Sequence, residues 1–133
     1  MRNPPNQATR IKEREQIMPT VERGPFEIRE DRERKLAVVT FAERCYQYRS
    51  KADEDKLAGL VERFDLVACD LTHTDAIASE WLRWMARMSL QANSAGKKLF
   101  LVGVKEQVLK TADVLGLKEE LRMVKTLDEG PAA

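Results

Sequence analysis

The stretch DLVACDLTHTDAIASEWLRWMARMSLQANSAGKKLFLVGV (Asp65–Val104) decides the fold class, because it alternates strand, helix and strand. Asp65–Leu71 and Lys98–Val104 are short and almost continuously apolar, which is typical of strands that are buried on both faces. Between them, Ser79–Ala95 carries apolar residues one helical turn apart and is followed by Gly96, a residue that commonly ends a helix. This succession predicts two neighbouring parallel strands joined by a right-handed crossover.

The flanking residues extend the same pattern in both directions. Residues 26–41 are rich in β-branched and aromatic side chains around a charged turn and predict a β-hairpin, and Ala52–Phe64 has helical spacing. Downstream, Lys105–Leu115 predicts a helix and Leu121–Leu127 an edge strand. The order ββαβαβα(β) predicts an α/β sandwich with a mixed, mostly parallel sheet of four to five strands flanked by helices.

The first 23 residues differ in composition from the rest. Pro4, Pro5 and Pro19 interrupt them, and Gly24–Pro25 marks a boundary. We expect residues 1–23 to form a flexible N-terminal arm and residues 24–133 to form one domain.

Composition excludes several classes of function. The net charge is +1 with acidic and basic residues interleaved, so no basic block predicts nucleic-acid binding. No apolar run approaches the roughly 20 residues that span a bilayer, and the charged, proline-containing start of the sequence leads us to expect no secretory signal. Cys45 and Cys69 lack metal-binding spacing, which favours a reducing, cytoplasmic location and predicts no metal site.

Catalytic chemistry is not indicated. No glycine-rich phosphate loop is present, so we expect no cofactor. His73 lies at the end of a predicted strand, but no recognisable nucleophile accompanies it, and a solvated loop histidine is favoured. Asp70 and Asp75 flank the same loop and are interpreted as turn and cap residues. We therefore predict that the chain is not an enzyme; a small-molecule binder that uses Thr72–Asp75 remains an alternative.

Three segments together resemble the STAS domain, the fold of bacterial anti-sigma factor antagonists. They are CDLTHTDAIASEWL (Cys69–Leu82), AGKKLFLVGV (Ala95–Val104) and VLKTADVLGLKEEL (Val108–Leu121). The family pattern has a strand that ends in Asp-Leu-Ser, a loop to Ile-Asp-Ser-Ser-Gly-Leu, a helix, a second buried strand and a helix that closes on Gly-Leu. Here Asp70–Thr72 matches the strand end, and Gly116–Leu117 matches the last landmark.

The resemblance implies that Ser79 is a phosphorylation site at the start of a helix, modified by a kinase-like anti-sigma factor and restored by a phosphatase. The surrounding motif is degenerate, because Ala78, Glu80 and Trp81 replace the family's Asp, Ser and Gly. Phosphate at a helix N-terminus would meet unpaired backbone N–H groups. The sequence leaves two interpretations of Ser79 open, a helix cap alone or a cap that is also phosphorylated.

The expected partner-binding surface comprises the loop and the first turns of that helix: Thr72, His73, Thr74, Asp75, Glu80, Trp81 and Trp84. Trp81 occupies the position of the exposed family Gly and is therefore expected near this surface, because Trp is a favoured interface anchor. Both Trp81 and Trp84 also share helical spacing with Met85 and Met88, which favours the core. For Trp84 neither interpretation is preferred.

The resemblance thus implies a protein–protein interaction module of bacterial signalling, with an anti-sigma factor or kinase-like protein as partner. A STAS-type regulatory subunit of a transport system is the alternative within this fold. Neither nucleic acid nor membrane insertion is expected, and a homo-oligomer is left open.

Deletion of residues 1–23 tests the predicted domain boundary. We expect the melting temperature, followed by circular dichroism, to change little, because the segment has too few apolar side chains to form a core. A loss of many degrees would show that Ile11, Ile17 and Met18 pack against the domain.

Overall fold

A computed structural model describes residues 26–45 and 51–132. The predicted arm, residues 1–23, and the boundary Gly24–Pro25 lie outside the described residues. The elements, numbered along the described chain, are β1 (Phe26–Asp31), β2 (Leu36–Phe41), β3 (Arg44–Cys45), α1 (Lys51–Arg63), β4 (Leu66–Asp70), β5 (Ala76–Ile77), α2 (Ser79–Ser94), β6 (Lys98–Val102), α3 (Glu106–Val114), β7 (Met123–Val124) and a 3-10 helix (Leu127–Ala132).

Five of the described strands form one sheet in the order β1-β2-β4-β6-β7. The β1–β2 hairpin is antiparallel, and every other pairing in this sheet is parallel. The predicted α/β class and mixed, mostly parallel sheet are therefore confirmed. The two apolar segments that decided the fold class are neighbouring parallel strands inside the sheet, as expected from their lack of polar alternation.

The inner strands bury side chains on both faces. In register across β2, β4 and β6, Val39, Cys69 and Leu101 lie on one face, within the larger hydrophobic core. The neighbouring row, Val38, Ala68 and Phe100, lies on the other face in a smaller core.

The three described α-helices contribute their apolar stripes to the larger core only. Helix α1 supplies Leu57, Leu60 and Val61, α3 supplies Val108 and Ala112, and α2 supplies the longest stripe. Helix α2 ends as predicted, because Gly96 has a φ of 75°, a left-handed conformation that glycine adopts without steric cost. The three described α-helices therefore lie on one face of the sheet.

The C-terminal 3-10 helix packs over the smaller core instead. Leu127 packs against this core, and Gly130 lies directly on the Phe100 ring, so close that a Cβ on Gly130 would overlap it. Lys98 Nζ also donates a hydrogen bond to the Pro131 carbonyl oxygen at 2.5 Å. The predicted strand Leu121–Leu127 is shorter than expected, only Met123–Val124, because the chain turns at once to cover this face.

A pair of glycine substitutions tests this packing. Gly130→Ala should lower the free energy of unfolding by about 1–3 kcal/mol, the usual cost of overpacking, because the added methyl group meets the Phe100 ring. Gly59→Ala is the matched control: it lies inside α1 with open space around a new Cβ, so it should stabilise by about 0.5–1 kcal/mol. Urea denaturation measures both, and equal effects would contradict the packing of residue 130 on Phe100.

Candidate functional site

The loop that follows β4 is built around Asp70. Its Oδ1 accepts hydrogen bonds from the backbone N–H of Thr72 at 3.0 Å and from the Thr72 hydroxyl at 2.5 Å, which forms an Asx turn. Gly103, with a φ of 64°, lies against Thr72, and a Cβ at this position would overlap its hydroxyl. Asp70 is thus a turn residue, as predicted, and the loop begins in a fixed conformation.

Thr74 anchors the middle of the loop from inside the protein. Its side chain is fully buried, and its hydroxyl donates a hydrogen bond to the Ala42 carbonyl oxygen at 2.8 Å. The expectation that Thr74 contacts a partner is therefore corrected, because its one hydroxyl proton is used within the fold and no solvent reaches it. A threonine in a polar loop gave no sequence signal of burial.

The second half of the loop pairs with the chain that follows β2. The Asp75 and Ala78 N–H groups donate to the carbonyl oxygens of Glu43 and Cys45, each at 2.8 Å, and β3 and β5 form a short parallel pair. This pairing was not predicted, since two-residue strands carry no periodicity. It delivers the chain to the start of α2 in a defined position.

Asp75 forms an ion pair with Lys105, the residue that precedes α3. The Lys105 Nζ lies 2.5 Å from Asp75 Oδ1, and both side chains are about half exposed. The hydrogen bond from Lys105 holds the pKa of the Asp75 carboxyl below its usual value, and the charges of Lys105 and Arg44 act in the same direction. The contact ties the loop to the neighbouring helix.

Helix α2 begins directly after this loop. Its N-cap residue is Ala78, which makes no side-chain capping hydrogen bond, and Ser79 is the first helical residue. The interpretation of Ser79 as the helix cap is corrected, because the cap position lies one residue earlier. Ser79 is partly exposed and belongs to a helix of 16 residues.

Ser79 lies on the wall of a shallow groove that we call the Ser79 groove. The groove holds about 360 Å³, and its other wall is α3 with the residue after it. The lining residues are Ser79, Gln107, Lys110, Thr111, Val114 and Leu115. Val114 is 86% exposed, one of two strongly exposed large apolar side chains among the described residues. Lys110 and Val114 were not predicted as site residues, although Val114 lies off the stripe that Val108 and Ala112 bury, and that offset was a usable signal.

The two tryptophans of α2 lie in the core. Trp81 is fully buried and contacts Phe26, Phe41 and Trp84, with ring centroids 6.0, 5.5 and 6.1 Å away in edge-to-face geometry. Trp84 is 3% exposed. The expectation that Trp81 lies near the docking surface is therefore wrong, and the core interpretation holds for both residues. The helical spacing with Met85 and Met88 was the correct signal.

The remaining predicted surface residues are accessible to solvent. Thr72 and His73 are exposed, and Asp75 and Glu80 are partly exposed. His73 is a solvated loop residue, as favoured from the sequence. The structure thus brings Ser79, Glu80, Asp75 and His73 to the end of the sheet where β4 and β6 terminate, next to the start of α3.

The two cysteines are reduced and buried. Burial raises the pKa of the Cys45 thiol to about 11 and that of the Cys69 thiol to about 12, which makes both poor nucleophiles at neutral pH. Among the described residues, no cluster of side chains is suited to hold a metal ion. No helix in the same part of the chain has the length and apolarity to cross a membrane.

A family model described as the STAS domain matches residues 15–130. The match covers most of the chain and includes part of the predicted arm. A search of curated protein sequences gave no match.

Solved structures with the same fold include two anti-sigma factor antagonists and a larger protein. The antagonist from Mycobacterium paratuberculosis is similar with a TM-score of 0.66 and 15% identity, over 80% of this chain and 90% of the other. SpoIIAA in its unphosphorylated form is similar with a TM-score of 0.64 and 12% identity, over 78% of this chain and 90% of the other. SLC26A9 is similar with a TM-score of 0.60 and 15% identity, over 74% of this chain but only 19% of the other. At these identities the similarities establish the fold.

The Asp75–Lys105 contact predicts a measurable titration. Asp75 should titrate below its ordinary range in an NMR experiment on the side-chain carboxyl carbon, and Lys105→Met should raise its pKa because the hydrogen bond and the nearby positive charge are both lost. A folded-state pKa below the unfolded value gives stability that is present above the unfolded pKa. That stability is lost as the pH falls through the folded pKa, in the acidic range.

Lys110→Met removes the same charge elsewhere on the surface and serves as the control. It should leave the Asp75 titration unchanged. An equal shift in the two variants would mean that general surface charge, and not the contact with Lys105, sets the pKa of Asp75.

Proposed function

The chain belongs to the STAS domain family, and from that premise we propose that it works by docking to a protein partner, as an anti-sigma factor antagonist does. The partner we propose is an anti-sigma factor or kinase-like protein of bacterial signalling, in the cytoplasm. Phosphorylation of Ser79 weakens docking, and a phosphatase restores docking by removing the phosphate.

One observation carries the proposal: Ser79 is partly exposed at the start of α2, beside a groove with a strongly exposed apolar residue. A kinase must reach the hydroxyl, and the partial exposure of Ser79 supports that access. Contiguous exposed apolar surface commonly marks contacts with other proteins. On the opposite wall, the neighbouring Val114 and Leu115 form the apolar part of the groove lining.

Phosphate on Ser79 would change the electrostatics of this surface without disturbing the core. It would add up to two negative charges next to Glu80, while the backbone N–H groups of the first turn of α2 and Lys110 across the groove would partly offset the repulsion. A partner surface that is apolar or acidic would then bind less well. The fold would persist, because Ser79 is partly exposed in the first turn of α2 and is not part of the core.

The polar groups of the loop favour docking over catalysis or small-molecule binding. Asp70 accepts a hydrogen bond from Thr72, and Thr74 donates one to the Ala42 carbonyl oxygen. Asp75 accepts one from Lys105. Both thiols are buried with raised pKa values. Within the loop Thr72–Asp75, which was the alternative ligand site, His73 is the one residue whose side chain forms no hydrogen bond with another described residue, and it is exposed to solvent.

A regulatory subunit of a transport system is the second candidate. The observations that favour it are Ala78 and Glu80 in place of the family's Asp and second Ser, together with the fold similarity to part of SLC26A9. In that case the same surface would bind a transporter subunit without a phosphorylation cycle. Co-purification from the native cell separates the two, since one yields a kinase-like anti-sigma factor and the other a transport protein.

Substitutions at Ser79 test the switch. Ser79→Asp should weaken binding to the native partner by about 1–3 kcal/mol, or about five- to 150-fold, because it places a fixed negative charge on the docking surface. Ser79→Ala should bind normally and should not respond to the kinase. Isothermal titration calorimetry gives both affinities, and the melting temperatures should stay close to that of the wild type.

Ser94→Asp provides the matched control, because it puts the same charge at the exposed far end of α2. It should leave affinity nearly unchanged. Equal binding by Ser79→Asp and wild type, with no phosphate on Ser79 in cells, would reduce the protein to a STAS scaffold without this switch.

A further inference from the structure

A second groove lies on the other side of α3, away from Ser79. It holds about 840 Å³ and is bordered by α3, by the turn that follows it and by strand β7 at the side of the sheet beyond β6. Its apolar lining consists of Val104, Leu109, Leu121, Met123 and Val124. We call it the β7 groove. No residue of this groove lines the Ser79 groove, so a ligand in one leaves the lining of the other free.

The rim of the β7 groove is positively charged. Lys105, Lys118 and Lys125 line it, and Glu129 is its acidic lining residue. Glu129 is turned toward the backbone, because its Oε1 accepts the Lys125 N–H at 2.9 Å. Lys105 is paired with Asp75, but neither Lys118 nor Lys125 takes part in an ion pair with any other described residue. Two lysines that form no ion pair with another described residue therefore flank an apolar surface.

Strand β7, which borders the groove, also has backbone hydrogen-bonding groups on the side away from β6. The carbonyl oxygens of Arg122 and Val124 accept from the N–H groups of Leu101 and Gly103 in and after β6, so both point into the sheet. Because backbone groups alternate in direction along a strand, the N–H and C=O of Met123 point outward. An extended peptide could bind there by adding to the outer side of β7.

We propose that the β7 groove binds an extended, acidic segment of a protein partner, with short apolar side chains over the groove and carboxylates at Lys118 and Lys125. Charge complementarity selects this occupant. The chain's own first 25 residues carry five basic and three acidic side chains, so they match the basic rim poorly. The proposal is independent of Ser79 and of the phosphorylation cycle.

The probe is a synthetic peptide with an apolar centre and acidic ends, acetyl-Asp-Glu-Leu-Val-Leu-Glu-Asp-amide, titrated into the full-length ¹⁵N-labelled chain. Backbone resonances of Met123, Val124 and Lys125 should shift with saturation. Affinity should fall as salt is raised, because exposed charge pairs are screened. A peptide with Lys in place of each Asp and Glu should bind at least about tenfold more weakly, since it repels the rim.

Charge-reversal variants test whether Lys118 and Lys125 at the rim of the β7 groove bind the acidic peptide. The Lys118→Glu/Lys125→Glu double variant should lose about tenfold or more in affinity. Lys56→Glu, which changes a charge on α1, should change affinity by less than about twofold. Shifts confined to the Ser79 groove, equal binding of the lysine peptide, no saturable shift at all, or equal losses in the double variant and in Lys56→Glu would each overturn the proposal.

Discussion

Burial of the three inner strands on both faces is the constraint on which the rest of the structure depends. Strands β2, β4 and β6 have no polar face, so each face of the sheet must be covered. A Leu or Phe side chain contributes about 1.5–3 kcal/mol to stability only when its face of the sheet is shielded from water. The α-helices cover one face, and the C-terminal 3-10 helix packs over the other. When both faces are apolar, hydrophobic alternation alone does not prevent a strand from slipping by one residue. Size complementarity supplies the missing restraint here, because Phe100 lies beside the small Ala68 and beneath Gly130.

The same sheet determines where the candidate site lies. Parallel strands end at one edge, so the loop after β4 and the start of α3 after β6 are neighbours there. Within this loop, the contacts Asp70–Thr72, Thr74–Ala42 and Asp75–Lys105 fix the backbone at successive points. A restrained loop therefore precedes the first turn of α2. Because this loop is already ordered, little of its conformational entropy would be lost when a partner binds at this surface.

Elements whose side chains repeat with a clear period were predictable, and isolated contacts were not. The inner strands and all three described helices followed from apolar runs and from helical spacing. The β3–β5 pair, the burial of Thr74 and the cover provided by residues 127–132 depend on tertiary hydrogen bonds and on packing between distant residues, which leave no local pattern. Trp81 is the most instructive case. Its helical spacing predicted the core correctly, whereas its alignment with an exposed glycine of the family motif pointed to the surface.

Burial of Trp81 changes how the degenerate motif affects the surface. The large side chain that replaces the family's Gly fills the core against Phe26 and Phe41, so it does not project toward a partner. The departures that reach the surface are then Ala78, which removes a carboxylate, and Glu80, which adds one a helical step after Ser79. These two changes cancel in charge but move the negative charge from the residue before Ser79 to the residue after it, which is partly exposed. In the docking function proposed above, a partner would meet the first turn of α2 together with α3, where Val114 and Lys110 supply apolar and basic groups.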